Sequence, residues 1–465
     1  MSAVEMSFEN LNLEVPFINL NNLNKSYVDK AIKTRGFVCN INVFKKTTFL
    51  TLRDQNRTLQ CVLSTTEAAK SLNNESYIEV EGKICLVSTK IKSCSFSELE
   101  LQLHTFAILN ASESVLPFSY KDVSYTLEDL KKYNVSPVSY HLCLDNRSLY
   151  LRSPQGYAIT RILDAVMFKF RDFLRSNGFI EVKTPKLIGG ASEGGANCFK
   201  VDYFAKTATL AQSPQLYKQM CILGGLKRVY EIGHVYRAEE SNINRYLSEF
   251  IGLDLEMEIT DNYISVINFI YDLFKSIFVF LSESYSSELE TIKQYFEFEP
   301  FMFTDNPVIL DYIDCMKLLK DEYNIDMKLE DDFNNENEKK LGEIVKKKWN
   351  TDIFVIKDYP VCCRPFYTAV DSKTGFTKSY DFIIRGEEIL SGAERINCYK
   401  TLKENIERCG INISSLGGYL EAFKIGAPPH GGCGIGLERL VKAYFGMKDI
   451  RYFSLFPRDP NRLYP

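Results

Sequence analysis

Between Ala31 and about Leu109 the sequence alternates apolar and polar residues with a period of two, which restricts this segment to β structure. Polar stretches rich in Asn, Gly and Ser divide the alternation into short runs. Their apolar positions are Phe37, Cys39, Ile41 and Val43, then Phe49 to Leu52, then Leu59, Cys61 and Leu63, then Ile78 and Val80, and finally Leu99, Leu101 and Leu103. About five short strands fit a small barrel of the oligonucleotide-binding (OB) type, although other small β domains fit the same count.

Changes of pattern divide the rest of the chain. Residues 1–20 are Asn-rich and aperiodic and are expected to form a flexible tail, the barrel would occupy 21–115, and a polar hinge would follow over 116–145. A larger domain over 146–465 would contain a mainly helical insertion at about 262–350. The prediction is an α+β protein of two or three domains, for which 465 residues are long enough.

A long amphipathic helix is predicted near the start of the larger domain. Ile162, Val166 and Phe170 lie at helical spacing, and the pattern stops at Asn177-Gly178, which is typical of a helix end. The strand-like segment FIEVKTPKL follows and contains Pro185, which cannot donate a hydrogen bond to a sheet ladder. Pro185 is therefore predicted at a sheet edge or an interface.

Composition excludes several classes of protein. A net charge of −4 does not fit a protein that simply coats nucleic acid, so any RNA contact must come from a local face. There is no run of about eighteen apolar residues, so no membrane span is expected. Thirteen cysteines without zinc-binding spacing, and no basic-then-apolar leader, indicate a reducing cytoplasm. The adjacent Cys362 and Cys363 could be a redox pair, but packing is the simpler interpretation because neighbouring cysteines rarely bridge comfortably.

Two strand-like segments, VYEIGHVYRAEE and SEFIGLDLEMEI, are joined by a polar loop. In the second segment Asp254, Glu256 and Glu258 alternate with apolar residues and therefore share one face. A row of like charges destabilises a strand unless cations or hydrogen-bond donors compensate for the charges. A solvated outer face would explain the row, whereas Arg237 just across the loop favours a site in which the charges are compensated.

Two glycine-rich segments suit ligand binding. GAPPHGGCGIGLERL, residues 426–440, is expected to form a turn and then a helix, whose free N–H groups and Arg439 suit a phosphate, although many such turns are only turns. It matches neither the phosphate-loop NTPase pattern nor the dinucleotide fingerprint. GGASEGGAN, residues 189–197, would be either a mobile lid that carries Ser192 and Glu193 or a simple surface loop.

A further segment, SYDFIIRGEEILSGAERI, combines oxygen ligands with a cation. Asp381 and Glu388 are the kind of carboxylates that Mg²⁺ requires near a phosphate site. Ser391 and Arg395 follow, and an arginine suits the bidentate capture of a carboxylate. Each of these residues, taken alone, could also be an ordinary surface group.

Read in order, these segments resemble the three signature motifs of class II aminoacyl-tRNA synthetases, in the form of the eukaryotic or archaeal cytosolic aspartyl type. The long helix with FIEVKTPKL is similar to motif one, VYRAEE through SEFIGLDLEM to motif two, and GIGLERL to motif three. The resemblance runs from the barrel to the last residue. It implies an antiparallel sheet flanked by helices, an OB-type anticodon-binding barrel before it, and a homodimer with Pro185 at its interface.

The resemblance also implies roles for individual residues. ATP would be bound by Arg237, Ala238, Glu239, Arg245, Tyr246, Leu247, Phe250, Glu388, Ser391, Gly436, Leu437, Glu438 and Arg439. Aspartate would be bound by Ser192, Glu193, Gln215, Lys218, Arg237, Asp254, Ser391 and Arg395, and Mg²⁺ by Asp381, Glu388 and Ser391. Arg237, Arg439 and Lys218 would be the catalytic residues. The tRNA anticodon would contact Phe49, Gln60, Ser93 and Glu100, with a barrel-core role as the alternative for Phe49.

The chain also departs from the pattern that it resembles. It has Asn244-Arg245-Tyr246 where relatives carry two histidines around the arginine, which puts the ATP contact of Tyr246 in doubt. Asn42 stands where an arginine usually precedes the barrel phenylalanine, which weakens the anticodon assignment.

The activity that the resemblance implies is the ATP-dependent loading of L-aspartate onto tRNA(Asp) through an aspartyl-adenylate. Lys218 would select the amino acid, because a buried cation favours a carboxylate over an amide, and discrimination of order 10³ or more is available from one buried charge. The alternatives are an asparaginyl-tRNA synthetase, which generally lacks that lysine, a non-catalytic RNA-binding relative, and a tRNA-independent relative that makes a free amide.

Overall fold

The computed structural model describes residues 15–66, 68–189, 198–239 and 244–465. The chain forms two compact units, of which the first comprises residues 1–158 with 294–296 and the second comprises 159–293 with 297–465. The predicted lid residues Ser192 and Glu193 lie outside the described residues.

The first unit is built on a closed five-stranded barrel, which confirms the prediction from the period-two alternation. Its strands are β1 (Ala31–Phe44), β2 (Thr47–Asp54), β3 (Arg57–Leu63), β4 (Tyr77–Leu86) and β5 (Leu99–Asn110), in the barrel order β1-β2-β3-β5-β4. The inward positions of each strand are apolar, and their side chains fill the barrel with one hydrophobic core that includes Val38, Leu50, Leu59, Val80 and Leu101.

The structure on both sides of the barrel bears on two of the predicted boundaries. Within the part of the tail that the structure describes, Phe17 bridges Lys33 of β1 and Leu20 is fully buried in the barrel core. The predicted hinge does not run as a loose linker to residue 145 but contains short helices, which are α1 (Tyr120–Val123), α2 (Leu127–Tyr133), α3 (Tyr140–Asp145) and α4 (Arg147–Tyr150). Because Phe118, Val123 and Cys143 bury a small core of their own with Tyr150, the first unit extends to residue 158.

The second unit contains an eight-stranded sheet in the order β12-β13-β14-β15-β16-β11-β10-β6 and a three-stranded sheet in the order β7-β9-β8. The large sheet is antiparallel except for the parallel pairs β6–β10 and β12–β13. The strands are β6 (Ile180–Glu181), β7 (Leu187–Ile188), β8 (Lys200–Tyr203), β9 (Lys206–Leu210), β10 (Arg228–Tyr236), β11 (Glu249–Glu258), β12 (Ile309–Asp311), β13 (Ile353–Lys357), β14 (Ser379–Ile384), β15 (Glu387–Glu394) and β16 (His430–Gly436).

Helices accompany the sheet, as predicted for this α+β unit. They are α5 (Pro154–Ser176), α6 (Gln215–Leu223), α7 (Tyr263–Ser284), α8 (Ser286–Tyr295), α9 (Tyr312–Tyr323), α10 (Asn335–Trp349), α11 (Tyr399–Arg408), α12 (Gly417–Ala422) and α13 (Leu437–Phe445). Helix α5 is the amphipathic helix that was expected to end near Asn177. Helix α7 is long and apolar enough to cross a membrane by length and composition alone, but half of its most apolar stretch is buried within the protein, as in the core helix of a globular unit.

The glycine-rich segment before Arg439 is a strand and not the predicted turn. It forms β16 and pairs with β11 on one side and β15 on the other. A Cβ atom at Gly432 would lie 2.1 Å from the carbonyl oxygen of Leu255, and one at Gly434 would lie 2.9 Å from a carboxylate oxygen of Asp254. The glycines therefore make room for the acidic side chains of β11, and helix α13 begins directly after the strand.

Candidate active site

A cavity of about 310 Å³ lies over the middle of the large sheet. Strands β10, β11, β15 and β16 supply most of its floor, and the first turn of α13 closes one side. Among the described residues, the cavity gathers fourteen of the residues predicted for ATP, aspartate or Mg²⁺ binding: Gln215, Arg237, Glu239, Arg245, Tyr246, Leu247, Phe250, Asp254, Glu388, Ser391, Arg395, Gly436, Glu438 and Arg439. Four others, Lys218, Ala238, Asp381 and Leu437, lie outside its lining.

Two of the three carboxylates on the acidic face of β11, Asp254 and Glu256, are buried and compensated by cations, whereas Glu258 is half-buried. Asp254 and Glu256 are 4% and 0% exposed, so a solvated outer face does not describe them. The Lys218 Nζ, on helix α6, lies 3.0 Å from Asp254 Oδ1 and 3.5 Å from Glu256 Oε2. Arg395, on the chain just after β15, donates to both carboxylate oxygens of Glu256 at 2.9 and 3.2 Å. Lys218 therefore lies beneath the cavity floor and contacts the cavity through Asp254.

The pKa values in this layer follow from burial and from these pairs. Burial raises the pKa of Asp254, and the neighbouring Lys218 ammonium opposes the rise. Burial would also raise the pKa of Glu256, but Arg395 and Lys218 together outweigh it, so the pKa of this carboxyl is lowered. Glu256 is thus held as a carboxylate between Arg395 and Lys218. The Arg395 Nη2 also donates to Gln215 Oε1 at 3.2 Å, which links this layer to the cavity wall.

The predicted metal ligands lie around a buried arginine that the sequence analysis missed. Arg364 forms a bidentate pair with Asp381 and donates to the Ser391 hydroxyl at 2.8 Å. Its guanidinium lies 3.6 Å from the centre of the Tyr359 ring. Glu388 lines the cavity nearby, and burial together with the charge of Asp381 raises its pKa. The signal that could have revealed Arg364 is a single charge within the otherwise uncharged run VCCRPFY.

Two arginines lie over aromatic rings in the cavity. The Arg237 guanidinium lies 5.7 Å from the centre of the Phe250 ring, and that of Arg439 lies 5.7 Å from the centre of the Tyr246 ring. Arg439 also donates to the backbone carbonyl of Glu388 at 3.2 Å. Stacking of this kind holds a guanidinium in a defined plane and leaves N–H groups for bidentate contact with phosphate oxygens.

The predicted helical insertion also contributes to the site. Glu338 of α10 accepts a hydrogen bond from Arg245 at 2.9 Å and another from the backbone N–H of Glu388 at 3.1 Å. Arg245 is further paired with Glu387 at 3.4 Å. Nothing in the sequence of α10 distinguishes Glu338 from its charged neighbours, because only the packing of α10 against the sheet buries it.

Glu438 is buried at the start of α13, where its carboxylate accepts from the backbone N–H of Ile251 at 3.1 and 3.2 Å. Burial raises the pKa of Glu438 to about 8. Its side chain therefore fastens α13 to strand β11 beside Gly436, where the strand ends and the helix begins.

In the barrel, three of the predicted anticodon residues lie near one another. Phe49 alternates with the buried Thr48 and Leu50, so it faces outward and the alternative of a barrel-core role is wrong. Gln60 of β3 is directly opposite Glu100 of β5, and their side chains are joined by a 3.1 Å hydrogen bond. Ser93 is exposed in the loop that precedes β5.

Comparisons with known proteins agree with this architecture. A family model described as tRNA synthetases class II (D, K and N) matches residues 139–460. A protein from Encephalitozoon cuniculi (strain GB-M1), named probable aspartate–tRNA ligase, cytoplasmic, is 53% identical and covers 96% of this chain and 97% of its own length. The human aspartate–tRNA ligase, cytoplasmic, is 38% identical and covers 96% of this chain and 91% of its own length.

Solved structures show the same similarity. The aspartyl-tRNA synthetase from Entamoeba histolytica superposes with a TM-score of 0.88 at 34% identity and covers 98% of this chain and 94% of that chain. The asparaginyl-tRNA synthetase from Pyrococcus horikoshii, solved with asparaginyl-adenylate, superposes with a TM-score of 0.82 at 27% identity and covers 96% of this chain and 99% of that one. With its OB-type barrel, its mainly antiparallel sheet and this cavity, the chain belongs to the class II aminoacyl-tRNA synthetases.

Proposed function

We propose that this chain is a cytoplasmic aspartate–tRNA ligase, which activates L-aspartate with ATP and loads it onto tRNA(Asp). The observation that carries the proposal is the convergence, in one cavity, of Arg237, Arg439 and Glu388 with the charged layer of Arg395 and Asp254. Relatives named cytoplasmic aspartate–tRNA ligases, at 53% and 38% identity over nearly the whole chain, support the choice of amino acid and the compartment.

The amino acid would bind at the end of the cavity formed by Gln215, Asp254 and Arg395. Arg395 is 4% exposed and keeps a cationic group at the cavity floor, where a substrate carboxylate would meet it in a dry environment. Asp254 would accept the ammonium group of the substrate. Lys218 adds a second positive charge behind Asp254, and this charge favours an acidic side chain over a neutral amide. Ser192 and Glu193 remain predicted to close over this end.

ATP would bind at the opposite end. Phe250 offers an aromatic face to the adenine, and Glu239 lies beside Arg237 where the edge of the base would be recognised. Arg237, Arg245 and Arg439 would bind the phosphates, with Tyr246, Leu247 and Gly436 lining the same wall. Ala238, Leu437 and Glu438 would shape this wall from the adjacent backbone.

The residues beside the phosphate end fit Mg²⁺. Glu388, Ser391 and Asp381 supply only oxygen atoms, which are the ligands that Mg²⁺ prefers, and phosphate oxygens and waters would complete the shell. Burial and the charge of Asp381 raise the pKa of Glu388, although Arg439, Arg364 and Arg245 oppose the rise, and a divalent cation beside the two carboxylates would relieve their repulsion. When bound, the ion would neutralise the phosphates and polarise them toward attack. Arg364 holds Asp381 and Ser391 in their places beside Glu388.

The chemistry that these residues support is positional and electrostatic. The α-carboxylate of aspartate attacks the α-phosphorus, a bond forms to the carboxylate oxygen, and the bond to pyrophosphate breaks. The guanidinium groups of Arg237 and Arg439 would stabilise the negative charge that develops on the phosphoryl oxygens, because they are already in place before the reaction. The 3′-hydroxyl of the terminal adenosine of the tRNA then attacks the aspartyl carbonyl, the bond between that carbonyl carbon and the phosphate oxygen of AMP breaks, and the hydroxyl proton leaves with the AMP phosphate or passes to solvent. The cavity offers no side chain that must act as a general base.

The barrel would recognise the anticodon through its outer face. Phe49 presents an aromatic ring on which a base can stack, and Gln60 and Glu100 present donor and acceptor groups beside it. Ser93 lies in the adjacent loop. This is the single-strand mode of recognition expected for an OB-type barrel.

A homodimer accounts for exposed apolar residues around motif one. Phe168 of α5, Ile180 of β6 and Leu187 of β7 are 53%, 50% and 48% exposed, and Pro185 is exposed between the two strands. Large exposed apolar side chains along the segments of motif one are what a dimer interface there would cover. Sedimentation analysis of the purified chain tests this part of the proposal.

The ATP–pyrophosphate exchange assay, run separately with aspartate and asparagine, tests the central proposal. Aspartate-dependent exchange and charging of tRNA(Asp) are expected. A preference for asparagine would instead identify an asparaginyl enzyme, and no exchange with either amino acid would identify a non-catalytic relative. Arg439→Gln should abolish exchange, and Arg408→Gln, at the end of α11 and away from the cavity, should leave it intact.

A further inference from the structure

Two adjacent cysteines lie at the edge of the cavity. Cys362 and Cys363 form the end of a short 3-10 turn, Val361–Cys363, that leads directly into Arg364. Cys363 lines the cavity, whereas Cys362 is exposed to solvent. Neither residue has a role in the chemistry described above.

The two thiols face the same way. Their sulfur atoms are 3.9 Å apart, and both lie within 3.8 Å of the same backbone carbonyl, that of Glu330. A disulfide requires a sulfur–sulfur distance of about 2.05 Å, so this pair would have to close by nearly half of its present distance. A single atom that bonds to both sulfurs bridges a wider gap and needs far less movement.

We propose that Cys362 and Cys363 form a dithiol site for trivalent arsenicals, and that its occupation disables the neighbouring cavity. An aryl arsenoxide reacts with two thiols to give a cyclic dithioarsenite and one water. Two arsenic–sulfur bonds form, the arsenic–oxygen bond breaks, the two thiol protons leave in the water, and arsenic stays trivalent. No oxidant or reductant is required.

The order of attack follows from the surroundings of the two thiols. Burial raises the pKa of Cys363 to about 12, and the negative charge of Asp332 acts in the same direction. Cys363 is therefore the poorer nucleophile, because the thiolate is the reactive form. The exposed Cys362 makes the first bond. Cys363 then closes the ring, because its position beside Cys362 gives its thiol a high effective concentration.

Occupation of the site would affect the cavity in two ways. The aryl group is carried on an arsenic atom bonded to Cys363, which is itself part of the cavity wall. The ring also fixes the turn that positions Arg364, and Arg364 in turn holds Asp381 and Ser391. Loss of activity as the readout rests on the proposed ligase function, whereas formation of the adduct does not.

The experiment uses phenylarsine oxide on the full chain, followed by intact mass, peptide mapping and aspartate-dependent ATP–pyrophosphate exchange. One equivalent should add one phenylarsenic group, mapped to the peptide with both cysteines, and should lower exchange at least tenfold. The dithiol 2,3-dimercaptopropanol should restore activity, and the same concentration of 2-mercaptoethanol should not, because only a dithiol competes with a chelating pair.

Cys362→Ala should retain ordinary exchange activity and become resistant to the reagent, and Cys363→Val should also resist it. The matched control is Cys398→Ala, which removes a solitary exposed cysteine whose pKa is lowered by hydrogen bonds from Thr401 and should leave the sensitivity unchanged. An adduct mapped to other cysteines, or a Cys362→Ala variant as sensitive as the original chain, would overturn the site. A correctly mapped adduct with full exchange activity would overturn its effect on the cavity.

Discussion

Replacing Lys218 by methionine tests whether a buried cation selects the acidic amino acid. The Lys218 Nζ is 3.0 Å from Asp254 Oδ1, and at an effective dielectric constant of about 20 this separation corresponds to roughly 5 kcal/mol of attraction. Glu256 keeps Arg395 as a partner in the variant, whereas Asp254 loses its cation. Removing one member of a buried pair typically costs about 3–5 kcal/mol of folding free energy. Lys218→Met alone therefore confounds recognition with stability.

The double variant Lys218→Met with Asp254→Asn separates the two effects. The amide no longer leaves an unpaired buried charge, so most of the lost unfolding free energy should return, as measured by urea unfolding. Aspartate recognition should not return, because the positive charge behind the pocket remains absent. A loss of about 4 kcal/mol in transition-state binding corresponds to a fall in kcat/KM for aspartate of roughly 10³ in the exchange assay. Asp254→Asn alone completes the cycle and isolates the coupling.

The barrel supplies a matched control. Arg53 and Glu75 form an equally buried pair, with a 2.7 Å separation and side chains 2% exposed. Because Glu75 keeps a second cation, Arg152, at 2.9 Å, Arg53→Met should destabilise folding by less than Lys218→Met does, and it should leave the ratio of aspartate to asparagine exchange unchanged. If kcat/KM for aspartate in the folded double variant at Lys218 and Asp254 is within tenfold of that of the original chain, Lys218 does not select the substrate.

Three further predictions follow from other contacts. Arg364→Lys, which keeps the charge but loses the bidentate geometry, should raise the Mn²⁺ dissociation constant in the presence of ATP about tenfold by electron paramagnetic resonance, because Asp381 and Ser391 lose their positioning. Because the folded pKa of Glu438 is raised to about 8, its contribution to stability is full below the unfolded pKa and is lost as pH rises toward 8. Through this group the original chain should lose about 2 kcal/mol of unfolding free energy between pH 6 and pH 8.5, and Glu438→Gln should lack this loss. An unaltered pH dependence in the variant would contradict the assignment. Phe49→Ala should weaken tRNA binding by about 1–3 kcal/mol in a filter-binding assay and leave pyrophosphate exchange unchanged.

The features that could be predicted from the sequence are those carried by local pattern. Alternation alone predicts the barrel strands, because every second residue of a strand faces the common barrel core. The burial of Glu256 could not be predicted in this way, because its compensating cation, Arg395, lies 139 residues away in the sequence. The role of Glu338 could not be predicted for the same reason, because its partners Arg245 and Glu388 are distant from it in the sequence. The prediction of a turn in place of strand β16 was wrong because its glycines are required by close contacts with β11. Those contacts cannot be read from the segment's own sequence.

The arginines of the cavity divide into two groups by what holds them, and this division argues for which end binds which substrate. Arg364 and Arg395 are buried against Asp381 and Glu256, and these carboxylates hold the two guanidinium groups in fixed positions at the floor. Arg237 and Arg439 instead lie over aromatic rings, and about a third of the Arg237 side chain is exposed. A triphosphate brings more negative charge than an amino acid, and it is best bound by several cations that face the open cavity. We therefore expect the phosphates at the end with Arg237 and Arg439, and the α-amino acid, whose positive and negative groups are close together, at the compact floor beside Arg395 and Asp254.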